Sequence, residues 1–289
     1  MSKLNSFVSA VAFGAVVATA SLANAALIEE WSFNVTNSWD QSATTWSSGT
    51  GYQQFHDNRS RLLNNQDPAG SYDIISWGPQ SLSGRSFLAA DSSYTQSSLV
   101  TNGDAARGAS FYHNNENISA SYKTLQSTKL MTSITINSKT PAGVDFSIPL
   151  EFDIDFTETD NSVSRRNQCS GYSRWSQGLT QAQINNSTYC PDRFALDTSA
   201  LSISQVIDDY LYTFSIDFER GSNILNITQN GGLTEIWTRE DVMSTLVSYI
   251  SVTAEYVGPP PVEVPEPGTV ALLGFGLAGA GLGMRRRRK

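Results

Sequence analysis

The chain has 289 residues, with 19 Lys and Arg against 27 Asp and Glu, and a formal net charge of −8. Setting aside Lys3 and the five cations at the C-terminus leaves 13 basic residues against 27 acidic ones, a net of about −14. So acidic a surface repels phosphates, which excludes nucleic-acid binding, and it favours diffuse collection of divalent cations.

In chain order, the first predicted element is a secretory signal. Lys3 supplies a positive start and Phe7 to Ala20 an apolar run. Ala23-Asn24-Ala25 is then a small-x-small cleavage site, so the mature chain begins at Ala26. About 235 residues follow before the next signal, enough for one large β domain.

The body reads as strands. Leu27 to Asn37 places Ile28, Trp31, Phe33 and Val35 among polar residues, and Tyr72 to Trp77 is an apolar run closed by Gly78-Pro79. Leu125 to Ile136 and Phe146 to Phe156 alternate with period 2. In the second, Phe146, Ile148, Leu150, Phe152, Ile154 and Phe156 share one face, with Glu151, Asp153 and Asp155 on the other. That pattern means one buried and one wet face, as in antiparallel sheets, and Pro149 predicts an edge or a bulge. Tyr210 to Phe218, Ile224 to Thr228 and Leu246 to Val257 follow, with Gly221-Ser222-Asn223 as a hairpin. One short helix is predicted from Thr238, capped by Thr238 with Asp241 three residues on. The sum is an all-β fold, an antiparallel β-sandwich of jelly-roll type, over 26–258.

Cys169 and Cys190 stand in a polar segment. In an oxidising compartment an even count favours a disulfide, and closing that loop contributes on the order of 3 kcal/mol. Two thiols without a nearby histidine do not suit a metal.

Gly258-Pro259-Pro260-Pro261 ends the body and opens a stiff spacer, 259–264. Pro265-Glu266-Pro267 then precedes an uncharged stretch, Thr269 to Met284, and the tail Arg285-Arg286-Arg287-Arg288-Lys289. The stretch is rich in Gly and Ala and slightly short of the roughly 17–25 residues that span a bilayer comfortably. The basic tail stays cytoplasmic by the positive-inside rule. A Pro-Glu-Pro box, one membrane segment and a basic tail resemble the PEP-CTERM sorting signal. The resemblance implies an exosortase and the secretion machinery as partners, a membrane intermediate held by the C-terminal segment, and a final place on the surface or in the matrix of a Gram-negative bacterium.

Ile75-Ser76-Trp77-Gly78, Gln96-Ser97-Ser98-Leu99 and Tyr112-His113-Asn114-Asn115 with Ile118, followed by Leu130 to Ile136, resemble the THxN family of PEP-CTERM proteins. The likeness covers roughly residues 72–160. His113 and Asn115 match the family's tetrad, whereas Tyr112 stands where the family has Thr. The resemblance implies an extracellular β domain and no established activity.

Three sets of residues compete for chemistry. His113 titrates in the physiological range unless perturbed, and with Asn115 it serves as ligand, base or loop brace. His56-Asp57-Asn58-Arg59 reads as a polar loop, its adjacent His and Asp diverging. Asp153 and Asp155 lie about 7 Å apart on one strand face, and a turn beyond brings Glu158 and Asp160 toward them. Calcium is the ion such oxygens would take; a solvated acidic face is the plainer account. The Trp, Tyr and Phe residues at Trp39, Trp46, Tyr52 and Phe55 stack sugars or pack under loops. No cofactor is required and no complete catalytic constellation is visible. The expected function is a non-enzymatic protein of the surface or matrix, associated with exopolysaccharide. The rivals are a carbohydrate-active enzyme using a carboxylate pair and a calcium-dependent adhesin.

Overall fold

The computed structural model describes residues 26–63, 70–159, 166–185, 190–198 and 201–258. The signal residues Ala23 and Ala25, Asp160, and the whole of 259–289 lie outside them. Why the chain forms sheets is clearest in β7 (Leu125–Thr140) and β8 (Ala142–Thr157), which pair antiparallel. Their alternation buries Leu130, Ile134, Ile136, Ile148, Leu150 and Phe152 and leaves Glu151, Asp153 and Asp155 in solvent. The register sets Ile134 opposite Ile148 and Leu130 opposite Phe152, so like faces meet. Each such side chain contributes about 1.5–3 kcal/mol when fully buried.

These strands sit inside a seven-stranded sheet. On one side lie β1 (Glu30–Trp46) and β5 (Ser93–Val100). On the other lie β9 (Asp192–Asp197), β13 (Leu233–Thr238) and, outermost, β12 (Ile224–Asn230). The second seven-stranded sheet runs β10 (Ser202–Ile207), β11 (Tyr210–Arg220), β14 (Val242–Tyr256), β6 (Ala106–Asn115), β4 (Ser86–Asp91), β3 (Tyr72–Gly78), β2 (Tyr52–Arg59). All ladders between these strands are antiparallel.

The inner faces form a sandwich core shared by both sheets. Trp31 of β1 reaches across to Tyr212 and Phe214 of β11, edge to face at 5.2 and 5.3 Å. Pro149 pairs with β7 alone, because β9 covers β8 only from Ile154 to Thr157. Proline therefore stands at a local edge, where its missing N–H costs no ladder bond. The run Tyr72 to Trp77 is buried on both faces. Ile75 and Trp77 enter the main core, while Tyr72 and Ile74 join Leu62, Phe87 and Tyr112 in a second cluster on the outer side of the same sheet.

Cys169 and Cys190 are bonded. The segment between them includes two short helices, α1 (Tyr172–Trp175) and α2 (Gln181–Asn185). Trp175 and Ile184 pack with Leu225 and Trp237 into a third cluster. Gly171 opens α1 at φ 68°, and a Cβ there would collide with the Trp237 ring, so glycine is required twice over.

The structure corrects three local expectations. No helix follows Thr238. Arg239, Glu240 and Asp241 make a tight turn, Asp241 at φ 56°, and Val242 re-enters a strand opposite Asn115. Pairing of Thr238 with Asp192 and of Val242 with Asn115 outweighs the local cap signal. His56 to Arg59 belongs to β2, with a register irregularity between them, rather than to a loop. The aromatic segment is also strand. Trp39 and Trp46 close β1, half-buried against the core, with Trp39 Nε1 donating to the Asp73 carbonyl at 2.9 Å and Trp46 packed on Phe55 and Trp77. Of that group only Tyr52 is exposed, 42%, with the Arg85 guanidinium 5.3 Å from its ring centre.

Candidate functional site

At the end of β8 the alternation that holds Phe156 inward runs out, and the next two residues turn toward the neighbouring strands. Thr159 is buried and anchors the turn. Its backbone N–H and its hydroxyl donate to Asp192 Oδ1 at 2.8 and 3.1 Å, and the hydroxyl also lies 3.0 Å from the Cys190 carbonyl. Asp192, the first residue of β9 and two residues past the disulfide, is completely buried. Glu240, 5% exposed, comes from the turn between β13 and β14. Oxygen atoms of Glu158, Asp192 and Glu240 all lie within 4.8 Å of one another.

Both carboxylate oxygens of Glu158 and Oδ2 of Asp192 are buried and accept no hydrogen bond. Burial, followed by the charge of Glu240, pushes the Glu158 carboxyl up to about 8. Burial, then the charges of Glu158 and Glu240, hold Asp192 well above the usual carboxylate range, against the pull of the Thr159 hydrogen bonds. Bare charge on the buried oxygens of Glu158 and Asp192 is costly without something to neutralise it. The arrangement offers two outcomes: shared protons, or a hard cation held by oxygen.

The tetrad residues lie on β6 and split by alternation. Tyr112 faces the outer cluster, its ring 5.5 Å from Tyr72. His113 faces the sandwich interior, 4% exposed. Its ring stacks on Trp77 at 6.1 Å and stands edge-on to Phe194 at 4.7 Å. Burial lowers its pKa to about 3, so the imidazole is neutral. His113 Nδ1 lies 2.8 Å from Thr238 Oγ1, which in turn lies 3.5 Å from the Asp192 carbonyl. Asn115 shares the inward face of His113 by alternation, is fully buried, and neither of its amide atoms has a hydrogen-bond partner.

The acidic set read from β8 is separated by the fold. Asp153 and Asp155 stay on the solvent face, where Lys129 Nζ lies 2.7 Å from Glu151 and 3.6 Å from Asp153. Of its described members only Glu158 turns inward, because β8 ends at Thr157 and Thr159 is tied to Asp192. Asp160 lies outside the described residues. His56 is half-buried, its pKa lowered by burial and then by Arg59 and Arg85, and the adjacent Asp57 is exposed. The two residues that sequence reasoning missed are Asp192 and Glu240. Nothing in their spacing links them to Glu158; the only local hint was Asp192 close behind a cysteine.

A further acidic side chain is buried nearby. Glu235, 1% exposed, accepts from Arg174 at 2.7 Å, from Arg193 at 3.0 Å and from Asn230 at 3.1 Å. Between the sheets an apolar cavity of about 70 Å³ is lined by residues including Trp39, Phe111, Phe152 and Leu246.

Comparison with known proteins identifies the other functional element. The family model of the PEP-CTERM protein-sorting motif matches residues 263–288. The motif implies export, a membrane-anchored intermediate and processing by an exosortase into a surface or secreted protein. No curated protein matches the chain. The motif residues Pro265, Glu266 and Pro267 and the tail Arg285 to Lys289 lie outside the described residues.

Proposed function

We propose that this chain is a non-enzymatic structural module of the cell surface or extracellular matrix, delivered by its sorting motif and associated there with exopolysaccharide. The observation that carries the reading is the motif at 263–288 behind a single β-sandwich body, Ala26–Gly258. The burial of His113 supports a non-enzymatic role: walled by Trp77, Phe156 and Phe194, its imidazole has a pKa lowered to about 3 and is a weak base at neutral pH. We read the body as a THxN-type domain on Trp77, His113 and Asn115, and its surrounding membrane system as that of a Gram-negative bacterium. The packed state of Trp39 and Trp46 moves any sugar contact away from them and toward exposed groups such as Tyr52.

Intact mass of the extracellular form tests the route. A chain beginning at Ala26 and lacking Arg285 to Lys289 is expected, and a mass that includes the basic tail overturns exosortase handling. Co-sedimentation of that form with the producing cells' own polysaccharide tests the destination. Saturable binding is expected, reduced by Tyr52→Ala; no binding at any salt concentration sinks the matrix association.

A further inference from the structure

We propose that Glu158, Asp192 and Glu240 form a calcium site, completed by the side-chain oxygen of Asn115. The proposal concerns the folded body and stands whether or not the matrix reading holds. Two observations carry it beyond a mere gathering of acids. Asp192 is wholly buried, one of its carboxylate oxygens lies within 4.8 Å of oxygens of Glu158 and Glu240, and its Oδ2 accepts no hydrogen bond. Asn115 is also wholly buried, with both amide atoms unmatched. A buried amide left so loses its hydration with nothing in return, so native structures fill such places with water or an ion.

The placement of Asn115 follows from the sheet. It is the last residue of β6, on the inward face with His113, and its cross-strand partner Val242 begins two residues after Glu240. The His113 side chain at that end already reaches Thr238, the residue opposite Asp192. Asn115 therefore faces the end of the sandwich where the three carboxylates converge.

The donor set selects the ion. All four donors are oxygens, which suits hard cations and not zinc or copper. The ligands come from three strand ends and one turn rather than from a rigid octahedron, and the place is dry. Magnesium keeps its waters and demands octahedral geometry, whereas calcium accepts irregular oxygen cages. A charge of +2 would also offset the charges of Glu158 and Asp192, which burial makes costly. Extracellular modules hold calcium with Kd values of about 10⁻⁴–10⁻³ M, within reach of the compartment to which the sorting motif sends this chain.

The test uses the processed protein stripped with a chelator and then titrated with calcium chloride. Native mass spectrometry is expected to count one calcium per chain. With calcium at about 100-fold excess over Kd, the melting temperature rises by roughly 5–10 °C. Asp192→Asn keeps an acceptor for Thr159 and is expected to abolish both signals; Glu158→Gln does the same. Asn115→Leu lowers affinity about tenfold or more, the loss typical even of groups that only support ligands. Asp153→Asn, on the solvent face, leaves binding unchanged. No calcium on the wild-type chain overturns the site whatever the variants do, and so does a melting shift that survives in both Asp192→Asn and Glu158→Gln. Equal affinity for magnesium overturns the choice of ion.

Discussion

Glu235 and Asp192 lie on paired strands, both buried, and the protein treats them in opposite ways. Around Glu235 it supplies two guanidinium groups, an amide and, from Thr228, a hydroxyl at 3.3 Å. Around Asp192 it supplies the Thr159 hydrogen bonds and two further carboxylates. The difference shows what a buried negative charge demands. Either the chain brings its own cation, or the charge is neutralised by something from outside, a proton or a metal. The outer face of β8 gives the third case: Glu151, Asp153 and Asp155 remain in water, so nothing need be arranged for them beyond a loose contact with Lys129.

Four experiments break or sharpen this contrast. The largest effect is expected at the self-neutralised site. Glu235→Ala leaves Arg174 and Arg193 facing an emptied place and should cost about 3–5 kcal/mol in urea unfolding. An effect below about 1 kcal/mol would mean that the pair is as loose as a surface one.

The second experiment turns to a buried base. His113 has a folded pKa of about 3, below its ordinary value of 6.5. The unfolded chain therefore takes up a proton that the folded chain refuses. Stability from this group is intact above the ordinary value and is lost as pH falls toward 3. The loss is about 1.4 kcal/mol per pH unit, about 3 kcal/mol by pH 4. Comparing the acid limb of stability in wild type and His113→Gln isolates it: the variant's slope should be shallower by about one proton.

Third, the disulfide holds the segment that delivers Arg174 to Glu235. Replacing Cys169 and Cys190 by Ser should cost about 2–4 kcal/mol. Combined with Glu235→Ala it should cost less than the sum, since both loosen one contact. Strict additivity would show that the loop and the ion pair are independent. The smallest effect belongs to the solvent face. Glu151→Gln should change stability by less than about 1 kcal/mol, and added salt should erase the difference.

Much of the fold was legible in particular residues. Period-2 alternation in Phe146 to Phe156 named the buried face of β8 residue by residue, and Pro149 marked a local edge. The apolar run of β3 was legible, but its burial on both faces, Asp73 and Ser76 included, came only from the packing. Reading failed where local and long-range signals disagreed. Thr238 and Asp241 looked like a helix start, yet their neighbours are claimed by β9 and β6. Trp39 and Trp46, in a Ser- and Thr-rich segment, read as sugar platforms or as packing under loops, yet they stand on a strand, β1, half-buried against the core.

The sequence by itself determined the destination of this protein, through the motif at 263–288, and its class, through strand periodicity. Both are local patterns, read within a few turns of chain. Only the tertiary structure decided which carboxylates meet. Glu158 was visible as part of an acidic run, but its company with Asp192 and Glu240 depends on how β8, β9 and the β13–β14 turn end at one rim of the sandwich. That convergence is set by strand order and register, which join residues far apart in the chain, so no spacing in the sequence could display it.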